Sequence, residues 1–216
     1  ESYTYGHLVK CSLELDEIED ARTWIQMIDF SKVEDVWFLE IYLDFLEKEK
    51  KTSELESILD KNKHKIPRLL YLYKKVFLEC EAAKNKEDSH LREALTYQKE
   101  IQEIEGVNES NLLKEGSILN RMGNREEAKK CLKKAEKLGK MNRLLKREWI
   151  YNYQLSDQKE DLDKAHQLAV ELYQDTKNPE DAALLVISDY KRKNYQRALF
   201  RIKNLKKQGF VSETME

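Results

Sequence analysis

Residues that suit a close contact between two helices recur six times along this 216-residue chain, at intervals of 33 to 39 residues. They are Ala21, Leu55, Ala94, Ala128, Ala165 and Ala198. An interval near 34 residues is typical of stacked helical hairpins. Because one such hairpin is too small to bury its own apolar face, it is stable only when a neighbour packs against it. The sequence therefore predicts a helical solenoid.

The composition favours long helices with solvated faces. Charged residues make up 37% of the chain, and only 6 Gly and 2 Pro interrupt the many Leu, Glu and Lys residues. No run of about 18 apolar residues occurs, so we predict no insertion into a membrane. The first residues also lack the basic and then apolar pattern of a signal peptide.

The most regular repeat spans residues 109–142. Large and small residues alternate along its two predicted helices. They are Leu112, Gly116, Leu119, Ala128, Leu132 and Ala135. Small residues let two helices approach closely, and the large ones fill the space between them. Gly123 lies between the two helices, where glycine can adopt the left-handed backbone conformation that ends a helix. This pattern resembles the tetratricopeptide repeat (TPR) family.

The resemblance implies an all-α fold, a right-handed superhelix of antiparallel helix-turn-helix repeats with about six repeats and twelve helices. The predicted repeats lie near residues 2–34, 35–68, 69–108, 109–142, 143–178 and 179–210. Together they form one predicted domain over residues 1–216. Because Glu1 already lies next to the first predicted helix, we expect the chain to be a fragment of a longer protein.

Two repeats depart from this regularity. The polar stretches at residues 84–89 and 156–161 separate the predicted helices of the third and fifth repeats. Insertions in a solenoid collect on one face and sometimes supply binding loops. Exposed loops also tolerate extra length without any function. Either interpretation fits the sequence of these two stretches.

In the TPR family the first helix of each hairpin lines a concave groove, so its outward positions are the expected ligand contacts. The resemblance predicts these partner-binding residues: Trp37, Glu40, Asp44, Tyr71, Lys74, Asn120, Arg121, Arg147, Tyr151, Gln154 and Tyr190. Aromatic side chains flanked by charges suit a peptide or protein segment. For Trp37 and Tyr71, burial in the core is an equally good interpretation. The lysine and asparagine pattern with which one subgroup grips a terminal carboxylate is not reproduced, so we predict no such clamp.

The resemblance favours a protein-protein interaction scaffold that binds a peptide or partner protein through the groove, within a larger assembly. One alternative is a peptide-sensing regulatory domain of a signalling protein or transcription regulator. A less favoured alternative is an RNA-processing half-repeat protein. Nucleic acid requires a basic groove, whereas the second repeat places Glu40, Asp44 and Glu47 there.

Motifs of catalysis and of cofactor binding are absent from the sequence. It contains no P-loop, no glycine-rich dinucleotide turn, no Gly-x-Ser-x-Gly and no paired CxxC. His7 and Cys11 could share one helical face, but two ligands do not make a zinc site. We therefore predict that the protein is not an enzyme, with no catalytic residues, no cofactor and no bound metal.

Charge and cysteines add two further expectations. Residues 1–108 contain 16 basic and 24 acidic residues, whereas the remainder contains 23 and 17, so the net charges are -8 and +6. This asymmetry could orient a partner, or it could reflect only differently charged solvated faces. Cys11, Cys80 and Cys131 are too far apart in the predicted stack to pair, which favours a reducing cytoplasmic location.

Overall fold

The computed structural model describes residues 2–30, 35–83 and 88–209, and these residues form twelve α-helices and no strand. The helices are α1 (Ser2–Glu14), α2 (Ile18–Ile25), α3 (Val36–Lys48), α4 (Thr52–Lys61), α5 (Arg68–Ala82), α6 (Asp88–Glu105), α7 (Glu109–Arg121), α8 (Arg125–Leu138), α9 (Arg143–Gln154), α10 (Lys159–Thr176), α11 (Pro179–Lys191) and α12 (Tyr195–Lys207). The predicted all-α class is confirmed. Each predicted repeat contains two consecutive helices, from α1 and α2 in the first to α11 and α12 in the sixth.

Contacts divide the chain into two compact units, Glu1–Ile104 and Glu105–Glu216, which we call unit 1 and unit 2. Unit 1 contains the first three predicted repeats, and unit 2 contains the last three. The single domain over residues 1–216 and its superhelical arrangement stay predictions.

Asparagine and aspartate side chains fix where several first helices begin. Asp35 accepts a hydrogen bond from the backbone N–H of Trp37 at 2.9 Å and so caps α3. Asn108, Asn142 and Asn178 cap α7, α9 and α11 in the same way. Such a cap satisfies one of the backbone N–H groups that the first helical turn leaves without a partner.

Four hairpins turn between their two helices in the same manner. Three residues join the helices, and one of them has a positive φ: Asp16, Lys50, Gly123 or Lys193. The glycine turn predicted at Gly123 is confirmed, with φ at 75°. The other three hairpins adopt the same turn without glycine, at a cost of about 1 kcal/mol each.

In unit 1, the helices from α1 to α5 pack around an apolar cluster that is rich in aromatic rings. The rings of Trp37 and Phe38 pack edge to face, with their centroids 4.9 Å apart. Gly6 on α1 makes room for them, because a Cβ atom there would lie 2.7 Å from the Trp37 ring. The backbone of α1 therefore lies directly against the indole.

Unit 2 contains three smaller apolar clusters. The first lies around Leu132 and Trp149, the second around Ile150 and Leu184, and the third around Val186. Buried polar side chains connect neighbouring hairpins between these clusters. Unit 2 therefore combines apolar packing with specific hydrogen bonds at each junction between hairpins.

The polar stretch predicted as an insertion at 156–161 adds length mainly to a helix and little to a loop. α10 begins at Lys159, so the connection from α9 has four residues, one more than in the neighbouring hairpins. α10 has 18 residues against 14 in α8. Asp161 in its first turn is buried and forms an ion pair with Arg125. This stretch therefore has a structural anchor of its own.

In the third repeat, residues 84–87 of the predicted insertion at 84–89 lie outside the described residues. Its last two residues, Asp88 and Ser89, belong to α6, which also has 18 residues. In both irregular repeats the longer period therefore corresponds to a longer second helix.

Candidate functional site

The first helices of unit 2, α7, α9 and α11, lie side by side and parallel. Asn142 at the N-terminal end of α9 donates to Glu109 of α7 at 2.7 Å, and Asn152 near its C-terminal end donates to Asn120 at 2.9 Å. Together the three helices form a cleft of about 700 Å³. Its lining residues are Ser117, Asn120, Arg121, Leu144, Arg147, Glu148, Tyr151, Gln154, Leu155, Ile187 and Lys191.

Large apolar side chains are exposed along the central helix of this cleft. Leu144 is 60% exposed, Leu155 45% and Tyr151 37%. Ile187 contributes from α11 on the opposite side. Apolar surface gathered in a concave site is a common property of ligand-binding sites.

A buried hydrogen-bond network forms the part of the cleft between α7 and α9. The amide nitrogen of Asn120 donates to the backbone oxygen of Glu148 at 3.0 Å and to its carboxylate at 3.1 Å. Burial raises the pKa of Glu148, although hydrogen bonds from Asn120 and Ser117 partly oppose that rise. Asn120, a predicted partner-binding residue, thus lies in the cleft with its amide engaged inside the protein.

Gln154 fixes α9 against α11. Its amide nitrogen donates to the backbone oxygen of Leu184 at 3.1 Å and to Oγ of Ser188 at 2.8 Å. Because these groups are buried, the relative position of the two helices is well defined. Gln154 lines the cleft as predicted and also supports its shape.

Three cations contribute to the electrostatics of the cleft. Arg147 lies 2.9 Å from Glu180 and 3.5 Å from Asp181. Burial lowers the pKa of Arg147, but hydrogen bonds with Glu180 and Tyr151, together with the nearby charge of Asp181, raise it above its ordinary value. Arg121 and Lys191 are the last residues of α7 and α11, so both lie at the same end of the cleft.

A second cleft, of about 750 Å³, lies in unit 1 against α1, α3 and α5. Two predicted residues, Asp44 and Lys74, line it. The Lys74 ammonium is buried and forms ion pairs with Asp44 and, at 2.6 Å, with Glu47. Burial lowers the pKa of Lys74, but the two carboxylates raise it above its ordinary value. The charge of Lys74 is therefore engaged by carboxylates of the same protein.

Four predicted residues lie outside both clefts. Trp37 is partly buried and packs against Tyr3 and Phe38 beside the core of unit 1. Tyr71 is only 7% exposed and belongs to the core of unit 1, which corrects its predicted place in the groove. Glu40 and Tyr190 are exposed but do not line either cleft.

Six of the cleft residues are not among the eleven predicted partner-binding residues, and two of these six, Glu148 and Leu155, lie close to Tyr151 in the chain. Glu148 lies three residues before Tyr151, and Leu155 lies four residues after it. Residues three and four apart share one face of a helix, so the spacing from Tyr151 indicates that both residues lie on the cleft side of α9.

Neither a metal-binding cluster nor a membrane-spanning helix occurs among the described residues. Within residues 2–30, 35–83 and 88–209, no group of His, Cys, Asp and Glu could hold a metal ion. None of the helices in these ranges is both long and apolar enough to cross a membrane. Cys11, Cys80 and Cys131 form no disulfide bond with one another, and the cytoplasmic location stays a prediction.

Comparison with known proteins gives no family assignment. No protein-family model matches the sequence, and a search of curated proteins gives no match. The resemblance to the TPR family therefore depends only on the sequence pattern given above.

Proposed function

We propose that this chain is a TPR-like solenoid that acts as a protein-interaction module, and that unit 2 binds an extended segment of a partner protein between α7, α9 and α11. The regular hairpins support the architecture, because six predicted repeats coincide with six pairs of helices. The shared three-residue turns support it further.

One observation carries the assignment of the binding site: the cleft gathers Leu144, Tyr151 and Leu155 in a concave surface. Burying these side chains against a partner gives about 25 cal/mol for each Å² of apolar surface removed from water. Tyrosine and arginine dominate binding hot spots, and Arg147 lies next to Tyr151.

The hydrogen bonds beneath the cleft also favour binding. Asn120 and Gln154 are held by partners on neighbouring helices, so the cleft has its shape before a ligand arrives. A site that is already ordered loses less conformational entropy on binding.

Selection from a library of random peptides, about 12 residues long, against the full chain tests this proposal. The selected peptides are then titrated calorimetrically against the wild type and against Tyr151→Ser and Leu155→Ser. We expect each substitution to weaken binding about tenfold or more, since each removes a large apolar contact.

Leu138→Ser is the matched control. Leu138 is 59% exposed on α8 and does not line the cleft, so its loss removes a similar apolar side chain elsewhere in unit 2. We expect this variant to bind like the wild type. Peptides that bind all variants equally well, or a selection that yields no binder, would show that the proposed site is wrong.

A further inference from the structure

α12 has an exposed face that is both apolar and strongly basic. Tyr195, Leu199 and Phe200 are 56%, 51% and 64% exposed. Five of the thirteen residues of α12 are Arg or Lys, and none is acidic. We call this surface the α12 face, and it consists of Tyr195, Leu199, Phe200, Lys203, Lys206 and Lys207.

The second helix of the preceding hairpin shows what the part of this face around Leu199, Lys203 and Lys206 contacts when another hairpin follows. The residue of α10 that matches Phe200, Gln167, is exposed. Ala165 of α10 and Ala198 of α12 are both buried and set a common register. One residue after Ala165, Nδ1 of His166 lies 3.4 Å from Oδ1 of Asp189 on α11. Further along α10, Tyr173 packs against the apolar cluster that α11 and α12 share. This side of α10 is therefore covered by the next hairpin.

In α12 the matching positions differ in chemistry. Leu199 corresponds to His166, whereas Lys203 and Lys206 correspond to the partly buried Val170 and Tyr173. No helix follows α12 in the part of the chain that the structure describes. A purely apolar surface placed here would bury two ammonium groups without a counter-charge, which costs free energy.

Charge therefore selects the partner. Leu199 and Phe200 are complementary to apolar side chains of a partner, and the surrounding lysines are complementary to its carboxylates. An amphipathic helix with leucines on one stripe and glutamates beside them offers both groups at the spacing that α12 presents. The same chemistry already occurs inside unit 2, where Arg192 after α11 lies 2.7 Å from Asp163 of α10.

We propose that the α12 face is a docking site for an acidic amphipathic helix of a partner protein. This site shares no residue with the cleft between α7, α9 and α11. The two proposals can therefore be tested separately, and the failure of one does not contradict the other.

A synthetic helix tests the proposal directly. The probe is a fluorescent peptide of about 18 residues, with leucines at spacings of three and four and glutamates between them. One control peptide carries lysine in place of every glutamate, and another has the same composition in scrambled order. We expect the full chain to bind the acidic peptide, to bind neither control, and to lose affinity as salt rises.

The chain itself supplies a variant that should keep its fold. α8 carries Lys129 and Lys130 directly after its buried Ala128, at the positions of Leu199 and Phe200 in α12. The double variant Leu199→Lys and Phe200→Lys copies that arrangement. We expect it to weaken binding of the acidic peptide about tenfold or more, with helicity and melting temperature unchanged.

Leu138→Lys is the control substitution, because Leu138 is 59% exposed on α8 and lies neither in the cleft nor on α12. Binding of the acidic peptide should survive it. The proposal is wrong if the peptide binds the double variant normally or if Leu138→Lys abolishes binding. It is also wrong if the acidic peptide does not bind to the full chain. Binding of vesicles of phosphatidylserine and phosphatidylcholine, or of a second copy of the chain, through Leu199 and Phe200 would not change that conclusion.

Discussion

The two units hold their hairpins together by different means. Unit 1 depends on a continuous apolar cluster in which aromatic rings such as Trp37 and Phe38 contact one another. Unit 2 divides its apolar residues among smaller clusters and links its hairpins through buried side chains such as Asn152 and Gln154. Apolar packing accepts another side chain of similar size, whereas a buried hydrogen bond requires one particular partner. Unit 2 should therefore tolerate fewer substitutions at the junctions between hairpins.

The largest expected effect comes from Asn152→Leu in unit 2. Asn152 is fully buried, and its amide donates to Oδ1 of Asn120 and to the backbone oxygen of Arg125, both at 2.9 Å. Leucine has a similar volume but cannot donate a hydrogen bond to either acceptor. We expect a loss of about 2–3 kcal/mol in the free energy of unfolding, measured by urea denaturation.

Phe38→Leu in unit 1 is the matched change, because Phe38 is also buried and the new residue is also leucine. We expect it to cost less, about 1 kcal/mol, since neighbouring apolar side chains can repack. An equal or larger loss in Phe38→Leu would contradict the contrast between the two units.

A smaller effect should separate two helical glycines. In Gly6→Ala the new Cβ would lie 2.7 Å from the Trp37 ring, which is held by its neighbours. In Gly116→Ala it would lie 2.9 Å from Cδ2 of Leu132, the flexible end of a side chain. Alanine also gains about 1 kcal/mol over glycine in a helix. We expect Gly6→Ala to lower the melting temperature and Gly116→Ala to change it little.

The reverse order of the two melting temperatures would show that Trp37 moves more easily than Leu132. It would also remove the argument that unit 1 packs its helices against rigid rings.

The smallest effects concern pH and two carboxylates in unit 2. Burial raises the pKa of Asp161, but a hydrogen bond from Ser156 and the charge of Arg125 hold it below its ordinary value. Its contribution to stability is therefore present at neutral pH and lost as the pH falls below about 3.8. Burial raises the pKa of Glu148, so its ionised form destabilises the fold at neutral pH.

Urea midpoints at several pH values test both signs. The urea midpoint of Asp161→Asn should fall less than that of the wild type when the pH is lowered into the acid range. Glu148→Gln should stabilise the protein at pH 7, and its advantage over the wild type should vanish below about pH 4.5. An advantage of Glu148→Gln that grows on acidification would show that the pKa of Glu148 is not raised.

The sequence predicted the pairs of helices because the period near 34 residues, and the alanines that recur with it, can be read directly from the sequence. It predicted five cleft residues because residues on one helical face follow a fixed spacing. It placed Tyr71 wrongly because an aromatic residue at helical spacing suits a core and a groove equally well. The left-handed turns at Asp16, Lys50 and Lys193 had no glycine to mark them.

The polar stretch at 156–161 shows a different limit. Its composition is typical of a loop, yet Lys159 begins α10 and Asp161 pairs with Arg125 on another hairpin. That pairing depends on residues 36 positions apart in the chain, and local propensity contains no information about it.

The closely packed helices within each unit are neighbours or next neighbours in the chain. Contact order is therefore low, and each step of folding closes only a short loop. During synthesis, α9 and α10 can pack on α7 and α8 as soon as they leave the ribosome, without waiting for the rest of the chain. A nascent chain of this kind exposes each apolar face only until the next hairpin arrives, which shortens the time available for aggregation.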